Sequence, residues 1–189
     1  ARLLVPARVT PPPLEQATVF PVPRALPALD LVDQDGKPLP TRFFDGHWTL
    51  VFFGFTQCPD ICPTTLATLA QANKQFADLP AESRLRMLLV SVDPERDPPS
   101  ILAPYVRFFD PAFLAATGSL EATAAAAAAF NVPYAKVAQD GGGYTLDHGS
   151  GIFVVGPTGG IVAYLSAPHD AARIAGNVRS IVAWSESQR

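Results

Sequence analysis

The sequence contains little cysteine, methionine and charge, and it has no long hydrophobic run. Its 189 residues include two cysteines and one methionine, and 16% of them are charged. The longer apolar stretches, such as Thr49–Phe55, have the length of a strand and fall short of the roughly 18–20 residues that span a bilayer. We therefore expect no transmembrane helix in this chain.

Acidic and basic residues nearly balance, with 17 Asp and Glu against 14 Lys and Arg and a net charge of −3. A chain without an excess of positive charge has no general means of holding a phosphate backbone, so we expect no nucleic-acid partner. Hydrophobic residues make up 48% of the sequence, which is enough for a buried core. The length suits one globular domain with a short segment attached.

Proline is abundant, with 20 residues, and several prolines lie at the start of the chain. Residues 1–25 contain prolines at positions 6, 11, 12, 13, 21 and 23 and show no hydrophobic period. Because Pro-rich chains favour stiff, extended backbone, this segment is predicted to be an arm or tether outside the core. The globular domain is then predicted over residues 26–189.

Buried strands and helices alternate along the rest of the chain. Four apolar runs of strand length are Thr49–Phe55, Arg86–Asp93, Ile152–Val155 and Ile161–Leu165. Segments with helical spacing lie between and after them, and Asp170 is placed to cap a last helix. This order predicts an α/β thioredoxin-like fold, in which helices flank a central mixed sheet. An N-terminal hairpin around residues 33–36 and an inserted helix–strand unit are expected as additions.

The two cysteines, Cys58 and Cys62, lie in the segment FGFTQCPDICPTTL at a predicted strand-to-helix turn. The helix is predicted to begin at about Cys62 or Pro63, so its dipole should lower the pKa of the Cys62 thiol. A separation of four residues permits a disulfide, and it equally permits both sulfurs to bind one soft metal ion. A structural disulfide is the weaker interpretation, because closing so small a loop stabilises a fold only slightly.

Among the three histidines, His148 is the candidate third ligand. It lies in the glycine-lined segment TLDHGSG before a predicted strand, and in a thioredoxin-like fold this loop faces the cysteine loop. Two thiolates and one imidazole form a site that suits Cu(I) or Zn²⁺. His47 lies in a polar turn and is predicted to be exposed to solvent. His169 lies at a helix start and is predicted to be a surface residue or to cap that helix.

Three segments together resemble a known family: FFGFTQCPDICPTTL, SVDPERDPP and YTLDHGSGIFVV are similar to segments of the Sco/SenC copper-binding proteins. The likeness runs from about Leu26 to Ser185. The resemblance implies a thioredoxin-like fold that binds copper, as Cu(I) or Cu(II), through Cys58, Cys62 and His148. It also implies a role in loading the binuclear copper site of cytochrome c oxidase subunit II.

The resemblance further implies partners and a location. The expected partners are cytochrome c oxidase subunit II or another cuproprotein, together with a periplasmic copper donor protein and a thiol reductase. Family members usually carry an N-terminal membrane anchor and face the bacterial periplasm or the mitochondrial intermembrane space. We expect this chain at the periplasmic face of the inner membrane or in that intermembrane space, with residues 1–25 as the tether to an anchor that the chain lacks.

Asp93 is a candidate for a supporting role at the same site. It follows the second buried strand, at the carboxyl edge of the predicted sheet and near the cysteine loop. It is predicted either to hydrogen-bond the site from outside the ligand set or to serve ordinary turn chemistry before Pro94.

Three functions compete on the sequence. The first is a metallochaperone, which is not an enzyme in the sense of turnover. The second is a thiol–disulfide oxidoreductase that uses Cys58 and Cys62 as a redox-active pair to reduce the cysteines of a copper-site apoprotein. Three residues between the cysteines instead of two, and His148 where such reductases place a proline, favour metal. A peroxiredoxin ranks last, because no proline precedes Thr56 in that loop as the peroxiredoxin motif requires.

Overall fold

Within residues 10–78 and 85–188, which the computed structural model describes, the chain forms nine strands and four helices. The strands are β1 (Ala17–Ala25), β2 (Val32–Asp33), β3 (Thr49–Gly54), β4 (Arg86–Ser91), β5 (Leu114–Thr117), β6 (Tyr134–Ala138), β7 (Tyr144–His148), β8 (Ile152–Val155) and β9 (Gly160–Leu165). The helices are α1 (Ile61–Lys74), α2 (Pro99–Phe109), α3 (Leu120–Phe130) and α4 (Ala171–Ser187).

Seven strands form one mixed sheet in the order β1-β9-β8-β3-β4-β5-β2. The pairs β3–β4 and β4–β5 are parallel, and the other pairs are antiparallel. Every residue of β3 and of β8 is buried, which is the reason that their sequences are continuous apolar runs instead of alternating ones. The predicted mixed α/β sheet flanked by helices is confirmed.

The first strand differs from the sequence expectation. Residues 17–25, expected to lie in an arm outside the core, pair with β9, with Ala17 opposite Leu165 and a register shift between Val19 and Arg24. Strand β1 is at the edge of the sheet, so the backbone N–H groups on one of its sides need no partner strand. The strand therefore tolerates prolines, which in the sequence alone are typical of a linker. The part of the predicted arm before residue 10 lies outside the described residues.

Local signals place the other elements. The turn after β2 is closed by the backbone N–H of Asp33, which donates to the Lys37 carbonyl at 2.8 Å, while Gly36 supplies a φ of +77°. The predicted cap of the last helix is confirmed, because the Asp170 carboxylate accepts from the Arg173 backbone N–H at 2.8 Å.

No helix in the described ranges combines the length and the apolar character that crossing a bilayer requires.

Strands β6 and β7 form a separate two-stranded sheet, which we call the β6–β7 hairpin. It connects α3 to β8 and ends at His148. Strand β3 leads into the cysteine loop and α1, and its parallel neighbour β4 ends at the same edge of the sheet. The hairpin, the cysteine loop and the segment after β4 therefore meet at one edge, where α/β sheets usually carry their functional sites.

Candidate metal centre

The structure brings Cys58, Cys62 and His148 together. One potential ligand atom from each residue lies within 4.8 Å of the other two. The Sγ atom of Cys62 and the Nε2 atom of His148 are 3.4 Å apart. In the described part of the chain this is the cluster of His, Cys, Asp and Glu side chains that could hold a metal ion.

The cysteine loop runs from the end of β3 to the first turn of α1. The backbone N–H of Cys62 donates to the Sγ atom of Cys58 at 3.4 Å, and the N–H of Cys58 donates to the Phe55 carbonyl at 3.3 Å. Gly54 closes β3 beside the sulfur: a Cβ atom there would lie 3.0 Å from the Sγ of Cys62. The strand can therefore approach Cys62 closely only without a side chain at this position.

Burial decides the acidity of Cys62. The sequence predicted a lowered pKa from the helix N-terminus, but the side chain is 0% exposed and burial raises the pKa of the Cys62 thiol. A backbone hydrogen bond from Phe55 acts in the opposite direction and does not reverse the shift. The prediction of a lowered pKa is wrong, because desolvation of a charged sulfur outweighs a favourable dipole. A metal ion bound at this position would supply the positive charge that makes the thiolate favourable.

His148 presents one ring nitrogen to the sulfurs. Its Nδ1–H donates to the Gly149 carbonyl at 2.9 Å, which leaves Nε2 without a proton and directed at Cys62. The rings of Phe52 and Phe55 meet the imidazole edge to face, with centroids 6.1 and 5.8 Å away. Burial lowers the pKa of His148, so the ring is neutral, as a metal ligand must be.

The sequence placed His148 in a loop between glycines, whereas the structure has it as the last residue of β7. The other two histidines are elsewhere. His169 donates from Nε2 to the Ser150 carbonyl at 2.7 Å, and His47 lies in the turn before β3.

Asp93 is buried, and its hydrogen bonds are formed with residues other than the two cysteines and His148. Its carboxylate accepts from the Tyr144 hydroxyl at 2.7 Å and forms an ion pair with Arg96. Its backbone N–H donates to the Ser91 hydroxyl at 3.0 Å, as in an ordinary turn. The direct support of the site that the sequence suggested for Asp93 stays a prediction.

Asp97, which the sequence did not single out for this role, holds the cysteine loop. Its carboxylate accepts from the backbone N–H of Thr56 at 3.0 Å, from the Thr56 hydroxyl and from the Ser91 hydroxyl at 2.7 Å. Burial raises the pKa of Asp97, and these hydrogen bonds act against the rise. The usable signal was Thr56, which lies two residues before Cys58 and can hydrogen-bond a carboxylate from its backbone and its side chain.

A cavity of about 210 Å³ opens beside Cys58 and His148. Its rim includes Pro59 and Ile61 from the cysteine loop and the start of α1, and Asp60 and Asp147 add two exposed carboxylates. The ligand atoms are thus largely shielded, yet a partner can approach from this side.

The chain is similar in sequence to known proteins. The family model described as SCO1/SenC matches residues 23–183. A curated protein of Stutzerimonas stutzeri is 38% identical over 159 residues, which cover 82% of this chain and 76% of that protein. The chain spans 54% to 60% of the length of the vertebrate mitochondrial SCO2 homologs that it matches.

The chain is also similar to solved structures of Sco proteins. The crystal structure of Arabidopsis thaliana ScoI with copper bound has a TM-score of 0.76 and 31% identity, and the match covers 81% of this chain and 94% of that one. The structure of BsSco, described as a member of the Sco family of cytochrome c oxidase assembly proteins with a disulfide switch, has a TM-score of 0.64 and 25% identity, and the match covers 85% and 94%. This chain belongs to the SCO1/SenC family.

Proposed function

We propose that this chain is a metallochaperone that holds one copper ion, as Cu(I) or Cu(II), through Cys58, Cys62 and His148. The observation that carries the proposal is the convergence of two sulfurs and one unprotonated imidazole nitrogen within 4.8 Å. Soft thiolates favour Cu(I), and imidazole suits both oxidation states. Copper bound to the related ScoI of Arabidopsis thaliana supports the same metal for this family member.

The chain's own residues prepare the site for metal. The Gly149 carbonyl fixes the tautomer of His148, so that Nε2 faces Cys62. Gly54 makes room for the Cys62 sulfur, and Asp97 holds Thr56 at the start of the cysteine loop. Copper binding must release the thiol protons, so the affinity of the site rises with pH until the thiols are ionised.

The recipient in this proposal is the binuclear copper site of cytochrome c oxidase subunit II or another cuproprotein. A periplasmic copper donor protein would load the chain, and a thiol reductase would keep its cysteines reduced. The link of the related BsSco to cytochrome c oxidase assembly supports this assignment. The location that fits it is the periplasmic face of the bacterial inner membrane or the mitochondrial intermembrane space, with a membrane anchor outside the residues described.

A second function is favoured by the same two cysteines. In a thiol–disulfide oxidoreductase, Cys58 and Cys62 would reduce the cysteines of a copper-site apoprotein and end as a disulfide. Both are free thiols here, and their sulfurs lie close enough for a small movement to join them. Three residues separate the cysteines instead of the two that thiol reductases favour, and His148 faces them where such reductases place a proline. We therefore rank copper delivery first.

One experiment tests both functions. The reduced chain, once loaded with Cu(I) and once metal-free, is mixed with the soluble domain of a subunit II copper site, prepared once with reduced and once with disulfide-bonded cysteines. Copper delivery predicts metal transfer to the reduced domain. Thiol reduction predicts new thiols on the oxidised domain and a disulfide on this chain.

The control is a Cys58→Ser, Cys62→Ser double variant, which should neither bind nor transfer Cu(I). Its circular dichroism must match that of the parent, since both side chains belong to the core. Tight Cu(I) binding by a folded double variant would contradict the proposed function.

A further inference from the structure

The β6–β7 hairpin carries His148, yet it shares no ladder with the seven-stranded sheet in the described part of the chain. Its two strands pair only with each other there, from Tyr134 opposite His148 to Ala138 opposite Tyr144. Because no backbone ladder fixes the hairpin to the sheet, side-chain contacts contribute to holding the imidazole in position. Tyr144 and His148 are the first and last residues of β7.

Tyr144 contacts an ion pair whose carboxylate is buried. Its hydroxyl donates to the Asp93 carboxylate at 2.7 Å, and the same carboxylate pairs with the Arg96 guanidinium. The Arg96 guanidinium lies over the Tyr144 ring, with its central carbon 3.8 Å from the ring centroid. Asp93 is 1% exposed and the Arg96 side chain 23%, so the carboxylate end of these contacts is shielded from water and interacts more strongly than it would at the surface.

Arg96 also contacts the backbone of the hairpin and the cysteine loop. Its Nη1 atom donates to the Tyr144 carbonyl at 3.0 Å and to the Gln57 side-chain oxygen at 3.1 Å. Gln57 is the residue before Cys58. One guanidinium thus connects the strand that carries His148 with the loop that carries the sulfurs.

We propose that Asp93, Arg96 and Tyr144 form a clamp that positions His148 against Cys62. These are positioning residues, because their hydrogen bonds run to one another, to Ser91 and to Gln57 and act on the site through the hairpin. The proposal rests on the proposed copper site and adds how the third ligand is held in place. It also gives Asp93 a role at a distance from the metal.

Two substitutions of Tyr144 should have graded effects. Tyr144→Phe removes the hydrogen bond to Asp93 and keeps the ring beneath Arg96, whereas Tyr144→Leu removes both contacts. Supporting residues around a metal ligand typically change affinity by ~10–100-fold, so Tyr144→Leu should weaken copper binding by about tenfold and Tyr144→Phe by less. In X-ray absorption spectra of the copper-loaded variants, the scattering contribution of the histidine ring should fall strongly in Tyr144→Leu and less in Tyr144→Phe.

The decisive test is a double-mutant cycle with His148→Ala. If the clamp acts through His148, Tyr144→Leu weakens copper binding in the parent and has no further effect in the His148→Ala background. An equal loss in both backgrounds, or an unchanged affinity and histidine signal in the Tyr144→Leu variant, would overturn the clamp. Tyr134→Phe, which removes a hydroxyl from the same hairpin and leaves the clamp intact, should match the parent.

A second measurement needs no copper and separates this proposal from the proposed function. Amide hydrogen exchange of the β6–β7 hairpin should be faster in Tyr144→Leu than in Tyr134→Phe, by on the order of tenfold, because the hairpin opens locally more often. Equal exchange rates in the two variants would remove the clamp even if copper binds. A parent that binds no copper, with exchange as predicted, would remove the copper site and keep the clamp.

Discussion

The Nε2 atom of His148 lies 3.4 Å from the Sγ atom of Cys62, although the two residues are 86 positions apart in the chain. The contact joins the end of β7 to the first turn of α1. Since Nδ1 donates its proton to Gly149, the Nε2 lone pair faces the sulfur. This arrangement is the one that two ligands of a single metal ion require.

Replacing His148 should separate metal binding from thiol chemistry. His148→Ala removes one ligand and leaves two sulfurs, which Cu(I) can still occupy. The affinity of the chain for Cu(I) should therefore fall by at least the roughly tenfold loss expected for Tyr144→Leu, without being abolished. The loss for Cu(II) should be larger, because Cu(II) favours nitrogen ligands. Competition titrations with both oxidation states measure the two effects.

The matched control is His169→Ala, which removes an imidazole that bonds to Ser150 and leaves the site intact. It should bind both oxidation states like the parent. Unchanged copper affinity of His148→Ala for both states would remove His148 from the site and favour the oxidoreductase.

Much of the fold was predictable, because burial on both faces of a strand leaves a continuous apolar run. Thr49–Phe55 and Ile152–Val155 were found on that basis, and β3 and β8 match them to within a residue. Strand β1 was not predicted, because Pro21 and Pro23 are typical of a linker. They are acceptable in a strand only because β1 lies at the edge of the sheet.

The residues that form the candidate site could be predicted from the sequence, whereas the pKa of Cys62 and the contacts around the site could not. The approach of His148 to the cysteines followed from the fold class. The raised pKa of Cys62 did not, because complete burial of that side chain results from packing by several elements. The role of Arg96 was also hidden, as its contact with Tyr144 spans 48 positions that no local pattern connects.

Gly54 should be intolerant of a side chain. A Cβ atom would lie 3.0 Å from both the Cys62 sulfur and the Phe52 ring, so Gly54→Ala should destabilise the fold by about 1–3 kcal/mol through overpacking. Displacement of the sulfur should also weaken copper binding. The free energy of unfolding, from urea denaturation, checks the first effect and a Cu(I) titration the second.

The matched control is Gly176→Ala in α4, where a Cβ atom meets open space. Alanine is the better helix former, so this variant should be more stable by roughly 0.5–1 kcal/mol and bind copper normally. Equal stability of the two variants would contradict the close approach of Gly54 to Cys62.

The contribution of Asp97 to stability should depend on pH. Burial raises its pKa in the folded state, so its protonation favours folding: the benefit is complete below the unfolded pKa and is lost as pH rises through the folded value. Asp97→Asn cannot titrate. The deficit in unfolding free energy of the variant relative to the parent should therefore shrink as pH rises.

Urea denaturation of the parent and of Asp97→Asn, from about pH 3.5 to 7, measures this difference. At the acidic end, where the Asp97 carboxyl is protonated, the variant should be within roughly 1 kcal/mol of the parent, because a neutral carboxyl and an amide offer similar hydrogen bonds to Thr56 and Ser91. The parent should then lose stability relative to the variant as pH rises. A deficit that grows with pH would show that the pKa of Asp97 is lowered instead.

Oxidation should release copper. Cys58 and Cys62 should form a reversible intramolecular disulfide under mild oxidation, since their sulfurs already lie within 4.8 Å and must approach to about 2 Å. A disulfide offers no thiolate, so the oxidised chain should not bind Cu(I), and bound Cu(I) should slow the oxidation. Mass spectrometry after alkylation counts the free thiols, and metal analysis of the same sample counts the copper.

His148→Ala serves as the control for this oxidation experiment. Thiol exchange needs only a thiolate and a partner sulfur, so the disulfide should form in this variant as in the parent. Two free thiols after oxidation, or copper retained by the disulfide form, would show that the sulfurs are not both the ligands and the redox pair.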